Sequence, residues 1–374
     1  MPGTKRSPDD GRRPSQPRRA QPASAIAPNH ALVDRLADLT GLRDRDVLDV
    51  TLVSAIRDLL RPVSVAIYRR VGEPGAGRWM TRARLGASDV VATADPAWAE
   101  LDTLPPLDAY PARVEAMQRE WVVHLPGAAA GDPCLCVFPL ATEVDARGVL
   151  EIVTVAPLGV EAQRQVASVL RIYCNFQGLL DYSERDTLTG LLNRKTFDDA
   201  FLKATARAPA SLDVATDLRR AGVPGGQHWL AVIDIDHFKR VNDQHGHLIG
   251  DEVLLLLARL MRGSFRHHDR LYRFGGEEFV ALIRCGNAAD AALAFERLRF
   301  NTERYAFPRI EHITISVGFT EVKLNDSPSG AFERADRAVY HAKGNGRNQV
   351  CSHAELVAAG TLTDTAIVGD VELF

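Results

Sequence analysis

The chain has 374 residues, 46% of them hydrophobic, with a formal net charge of -3, enough apolar content for more than one core and so for two domains. So balanced a charge gives no general case for nucleic-acid binding, and no apolar run reaches the roughly 18 to 20 residues of a membrane span. The five cysteines (Cys134, Cys136, Cys174, Cys285, Cys351) are scattered and odd in number, and the N-terminus lacks the apolar stretch of a signal peptide, so a cytoplasmic chain is expected.

Residues 1–28 are rich in Pro, Arg, Ser and Ala, with almost no large apolar side chains. Such a segment cannot offset its ordering entropy by burial and is expected to be a disordered basic tail. From Ala31 the pattern turns globular. Val33, Leu36, Leu39 and Leu42, then Val47 onward to Leu60, recur at helical spacing until Pro62 stops the helix. Val63 to Tyr68 alternates as a strand, and Trp79 to Leu85 reads as its hairpin partner across a Gly72 to Gly77 turn. Trp121 to His124, Cys134 to Leu140 and Gly148 to Val155 supply three more strands. Alternation puts Cys134 and Cys136 on one face, where they read as buried small apolar residues. Apolar positions from Val166 to Leu180 mark a long helix from Val160 to about Glu184. Helix, antiparallel strands and exit helix together resemble a GAF-type sensory domain over residues 29–158, a PAS-like domain being the alternative, with 159–184 as a connecting helix.

That helix runs into Asp186-Thr187-Leu188-Thr189-Gly190, where Asp186 is able to cap a turn and Gly190 to reverse the chain. A helix from Lys195 to about Arg207 and a Pro/Gly-bearing surface loop over 208–227 follow. Trp229 to Ile235 is a near-continuous apolar run, as in a strand covered on both faces. Asp234 sits inside it, and an acid there is costly without a partner. Asp236 is placed to cap a short helix that opens at His237 and ends at Gly246, with Lys239 and Asn242 on one face. Gly250-Asp251 opens an apolar helix, Val253 to Met261. Leu271 to Phe274, then Gly275-Gly276, then Phe279 to Ile283 read as a tight β-hairpin, because glycine takes positive φ without steric cost. Beyond it come a helix (Ala288 to Thr302), a strand (Ile313 to Val317), a helix (Ala331 to Lys343) closed by Gly344-Asn345-Gly346, and a short strand. Residues 354–374 are expected to be a weakly ordered tail. The alternation makes residues 185–353 a mixed α/β (α+β) domain with a central sheet flanked by helices.

The acids of this domain gather at two places, Asp234 at a strand end and Glu277-Glu278 at the hairpin mouth. Adjacent carboxylates repel and are costly to bury without a cation, and hard oxygen ligands select Mg2+ or Mn2+. If strand end and hairpin are neighbours, three carboxylates meet with Lys239, Lys343 and Arg347 nearby. Those are the parts that phosphoryl or nucleotidyl transfer requires. The bare Gly275-Gly276 backbone lets a bulky anion approach closely.

Five stretches, in order, resemble the GGDEF-domain diguanylate cyclases, which condense two GTP into cyclic di-GMP. They are Asp186-x-Leu188-Thr189-Gly190-Leu191-x-Asn193-Arg194, then Asp234-Ile235-Asp236-x-Phe238-Lys239-x-x-Asn242-Asp243, then Gly246-His247-x-x-Gly250-Asp251. The signature Gly275-Gly276-Glu277-Glu278-Phe279 and the tail Lys343-x-x-Gly346-Arg347-Asn348 complete them. The resemblance implies a nucleotidyl-cyclase or palm-like sheet. It implies Mg2+ (or Mn2+) held by Asp234, Glu277, Glu278 and the Ile235 carbonyl, with Glu277 helping to deprotonate the attacking 3'-hydroxyl and Lys239 serving catalysis. Phe238, Lys239, His247, Gly275, Gly276, Lys343 and Arg347 would surround the GTP, and Asn242 and Asp251 would read the guanine edge. Arg266, Asp269 and Arg273 would form an inhibitory site for the cyclic di-GMP product. Each site holds one GTP, so a homodimer is implied, regulated through the N-terminal domain. A GGDEF domain that only senses nucleotide, or a nucleotidyl cyclase with another product, are the competing readings.

Overall fold

The computed structural model of the protein describes residues 44–72, 75–97, 99–129, 131–141, 148–205, 226–310 and 312–363. The expected basic tail, the first part of the helix beginning near Ala31, the loop over 208–225 and the last eleven residues lie outside them.

The N-terminal half starts with α1 (Arg45–Leu60), opened by the Asp44 carboxylate accepting from Asp46 N and closed by Arg61 in the left-handed region. An antiparallel sheet follows: β1 (Ser64–Val71), β2 (Arg78–Gly86), β3 (Val123–Leu125), β4 (Cys134–Leu140) and β5 (Gly148–Thr154), in the order β2-β1-β5-β4-β3. A short helix, α2 (Pro111–Arg119), packs on one face, where Tyr68, Trp79 and Met117 are buried. On the other lies α3 (Val160–Glu184) beside α1. Val166, Val169, Leu170, Tyr173 and Leu180 of α3 sink into one core with Leu48, Leu52, Ile56, Ile67, Leu150 and Ile152. The expected connecting helix is therefore a packed layer of this half, because its apolar stripe has a sheet to cover. Cys136 is buried as expected, its thiol pushed up to about 12 by burial.

The second sheet is mixed. Its strands are β6 (Leu192–Asn193), β7 (Gln227–Ile235), β8 (Arg270–Gly275), β9 (Glu278–Cys285), β10 (Ile315–Glu321) and β11 (Val350–Ser352), in the order β11-β10-β7-β9-β8-β6. Only β6/β8 and β10/β11 run parallel. The intervening helices are α4 (Phe197–Thr205), α5 (Phe238–His245), α6 (His247–Ser264), α7 (Ala288–Arg304), α8 (Pro328–Gly344) and α9 (His353–Ala358). Strand β7 lies inside the sheet, and alternate residues feed two cores. Ala231, Ile233 and Ile235 meet Val253, Leu257 and Met261 of α6 with Phe295 and Leu298 of α7. Leu230 and Val232 meet Phe201 of α4 with Ala335 and Val339 of α8. Helix α8 lies so close to β10 that a methyl on Gly318 would collide with the backbone of Ala335, Ala338 and Val339. That approach seats the last turn of α8 at the edge of the site.

Several boundaries differ from expectation. Helix α6 begins at His247, with Gly246 at its N-cap in a positive-φ conformation (φ 83) and no capping side chain, so Gly250-Asp251 falls inside the helix. Strand β10 spans Ile315–Glu321 rather than Ile313–Val317, since its register follows β7 as far as Trp229. Helix α8 starts three residues early, at Pro328, with the Ser327 hydroxyl accepting from Gly330 N. Residues 353–358 are helical rather than part of a loose tail.

Candidate active site

The site is built where β7 ends between β9 and β10. Asp234 pairs across the sheet with Glu278 on one side and Ser316 on the other. Beside it the β8–β9 turn runs through Gly275 (φ 150) and Gly276 (φ 52), backbone that favours glycine. A register irregularity between Arg273 and Gly275 re-aims the turn and sets Glu278 opposite Gly275. The Arg273 guanidinium holds the turn, donating to Gly276 O at 2.9 and 3.1 Å and to Asp186 Oδ1 at 3.0 Å. Asp186 also accepts from Thr189 N and Oγ1, at 2.8 and 2.7 Å. Burial raises its carboxyl, but the Thr189 and Arg273 bonds outweigh that and leave it below the usual value.

Asp234 is partly buried, and its buried Oδ1 is paired with the Lys343 ammonium, Nζ lying 2.7 Å away. Burial raises the Asp234 carboxyl; the Lys343 ammonium opposes this, and Asp236 and Asp336 add to it. Glu277 is raised by burial and by Asp234, against Lys343. Glu278 is raised by burial, Asp336 and Asp234, against Arg194 and Lys343. Four acids thus share one neighbourhood short of positive charge. Asp336 and Arg194 are the members the sequence reading missed. Asp336 had a signal, lying two turns before Lys343 on the same helix.

Among the described residues no three His, Cys, Asp or Glu side chains converge closely enough to ligate one ion as they stand. The chemistry of the set still fits a hard divalent cation. The donors are carboxylate oxygens whose proton affinity is raised by burial and by one another, and one buried oxygen of Asp234 is faced by the Lys343 ammonium.

Around this centre Lys239, His247, Asp251 and Arg347 are exposed, and Asn242 is half-buried on α5. Asn242 Oδ1 lies against Gly250, where a methyl would displace it, so the α6 glycine sets the position of the amide. Phe238 and Ile235 are core residues; only their backbone is available to a ligand. Asp236 does not cap α5: its carboxylate accepts from Thr314 Oγ1, Ser316 Oγ and Asn348 N at 2.7, 2.7 and 3.0 Å. Helix α5 instead opens on His237 in the left-handed region, with no side-chain cap.

The three residues expected to bind product each have contacts of their own within the chain. Arg266 is exposed and lies 3.3 Å from Glu100 of the N-terminal half. The Asp269 side chain is 6% exposed and accepts from Arg266 N and Arg284 N at 2.9 and 3.4 Å. Arg273 is engaged by Asp186 and the signature turn.

Residues 183–349 match the family described as diguanylate cyclase, GGDEF domain. Among curated proteins, diguanylate cyclase DgcP of Pseudomonas aeruginosa is 39% identical over 168 residues, covering 44% of this chain and 23% of the relative. Diguanylate cyclase DgcZ of Escherichia coli is 34% identical over 171 residues, 45% of this chain and 52% of the relative. The chain therefore spans only part of the length of these relatives. Of solved structures, the GGDEF domain of DgcB from Caulobacter crescentus in complex with c-di-GMP is 34% identical. It is matched over 96% of its length and 46% of this chain, with a TM-score of 0.40.

Proposed function

We infer that this chain, whose residues 183–349 form a GGDEF domain, is a diguanylate cyclase that joins two GTP into cyclic di-GMP and releases two diphosphates. The observation that carries the reading is the pairing of Asp234 with Glu278 across β7 and β9, with Lys343 2.7 Å from the buried Asp234 oxygen. Asp234, Glu277, Glu278 and the Ile235 carbonyl would hold Mg2+ (or Mn2+). When bound, the ion neutralises charge on the phosphates and on the attacking oxygen.

The chain's own side chains do the rest. Lys239, Lys343 and Arg347 hold the triphosphate, and Lys343 is drawn to phosphate once the charge on Asp234 is otherwise balanced. His247 and the exposed Gly275-Gly276 backbone border the same nucleotide. Asn242 and Asp251 read guanine, a carboxylate accepting from its N1–H and 2-amino group and rejecting adenine. In each half-reaction the 3'-oxygen of one GTP forms a bond to the α-phosphorus of the other. The bond from that phosphorus to the bridging oxygen breaks, diphosphate leaves, and the hydroxyl proton passes to the Glu277 carboxylate. Two such steps close the ring, and because one domain holds one GTP, two copies of the chain must face each other. Product inhibition through Arg266, Asp269 and Arg273, and control by the N-terminal half, belong to the same proposal.

The test compares wild type with Glu278→Ala for Mg2+-dependent diphosphate release from GTP. The variant should lose about a hundredfold or more in rate at an unchanged melting temperature. Undiminished release from the variant would put the chemistry elsewhere.

A further inference from the structure

The loop that carries Arg347, just past the end of α8, is strained. Arg347 (φ 62) and Asn348 (φ 44) both adopt the left-handed region, a conformation that costs roughly 1–2 kcal/mol for each such residue unless its surroundings impose it. The surroundings do impose it. Asn348 N donates to the buried Asp236 carboxylate at 3.0 Å. Its side-chain amide donates to Glu303 Oε1 at 2.7 Å and accepts from Arg299 at 2.8 Å, so both ends of the amide are tied to α7. From the other side, Arg347 N donates to Ala342 O at 2.9 Å, and Gln349 Nε2 donates to the carbonyls of Ala342 and Asn345.

Asp236 is itself fixed by the hydroxyls of Thr314 and Ser316. Ser316 is the residue paired with Asp234 in the sheet. One buried carboxylate thus joins the strand that carries Asp234 to the loop that carries Arg347, four residues beyond Lys343.

We propose that Asp236 and Asn348 are positioning residues for GTP: together with Arg299 and Glu303 they hold Arg347 and Lys343 in register with Asp234, so that the triphosphate meets a preformed basic loop. The inference rests on the cyclase reading. It assigns a task to the second acid of Asp234-Ile235-Asp236 that is neither ligation nor helix capping. It also explains why an asparagine follows Arg347: this side chain tolerates the left-handed region and its amide serves two partners at once.

The test uses the full chain and two variants. Asp236→Asn sets an amide donor against three donors, and Asn348→Gly keeps the left-handed backbone but removes both tethers to α7. Each should raise the KM for GTP by about tenfold with kcat changed by no more than about twofold. Asn348→Gly should melt close to wild type, which separates positioning from general destabilisation. On an Arg347→Ala background the same Asn348→Gly change should raise KM by a clearly smaller factor, because one of the two groups it positions is already absent. An unchanged KM in a folded Asn348→Gly variant, or the same fold-loss with and without Arg347, overturns the inference while leaving the cyclase intact. A wild type that neither binds nor turns over GTP overturns both.

Discussion

Asp269 is a carboxylate held almost out of solvent, its side chain 6% exposed. Burial pushes its carboxyl up to about 6, against the backbone amides of Arg266 and Arg284 and the guanidinia of Arg266 and Arg297. The folded state therefore binds this proton more tightly than the unfolded chain, whose carboxyl titrates near 4. Stability from Asp269 is fully present below about pH 4 and is lost as pH rises through about 6. Asp269→Asn should flatten the fall in stability between those values, measured as the difference from wild type in urea unfolding at stepped pH. Parallel profiles for the two proteins would show that the carboxyl is not perturbed. The spacing from Arg266 to Asp269 was legible in the sequence. That the carboxylate turns back onto its own turn was not, because Arg284 N, one of its partners, lies fifteen residues away on β9.

At the scale of elements, what could be read were the periods, and what could not were the partners. The period of α3 was plain from Val166, Val169 and Leu170, and its bounds were met, but nothing local told that this stripe covers the first sheet rather than a second copy. The start of α6 was missed because Gly246 opens it on bare backbone, leaving no Ser, Thr, Asp or Asn to mark an N-cap. Asp236 was misassigned because its partners are 78, 80 and 112 residues away. The outer face of α3 retains large exposed side chains, Ile172, Leu179 and Tyr182, at separations of seven and three residues. That is the spacing of a helix–helix seam, and the proposed reaction between two copies would supply the partner. Leu179→Glu should weaken self-association by about tenfold or more, because it sets a charge into the seam. Sedimentation across a concentration series reads this out, and association equal to wild type would place the dimer contact elsewhere.

For the whole molecule, the two halves meet through a polar chain at the end of α3. Arg45 of α1 contacts Asp181 and Glu184 at 2.9 and 3.0 Å, and Arg185 contacts Asp181 and Gly190 O at 3.2 and 2.8 Å. Asp186 then reaches Arg273, which grips Gly276 O in the signature turn. Contacts therefore run from the first described helix to the backbone beside Glu277 and Glu278. The motifs that compose the site were legible because their chemistry is written in short runs: Asp234, Glu277-Glu278, Lys343 and Arg347. Their assembly around Asp234 depends on the β7–β9 and β7–β10 registers, which only the folded sheet supplies.

The most direct measurement is to incubate the full chain with equimolar GTP and ATP in Mg2+ and resolve the products by mass. The carboxylate centre and the guanine contact proposed for Asp251 predict cyclic di-GMP as the only cyclic dinucleotide. Adenine-containing cyclic dinucleotides, or no cyclic product from a folded chain that binds GTP, would contradict the account.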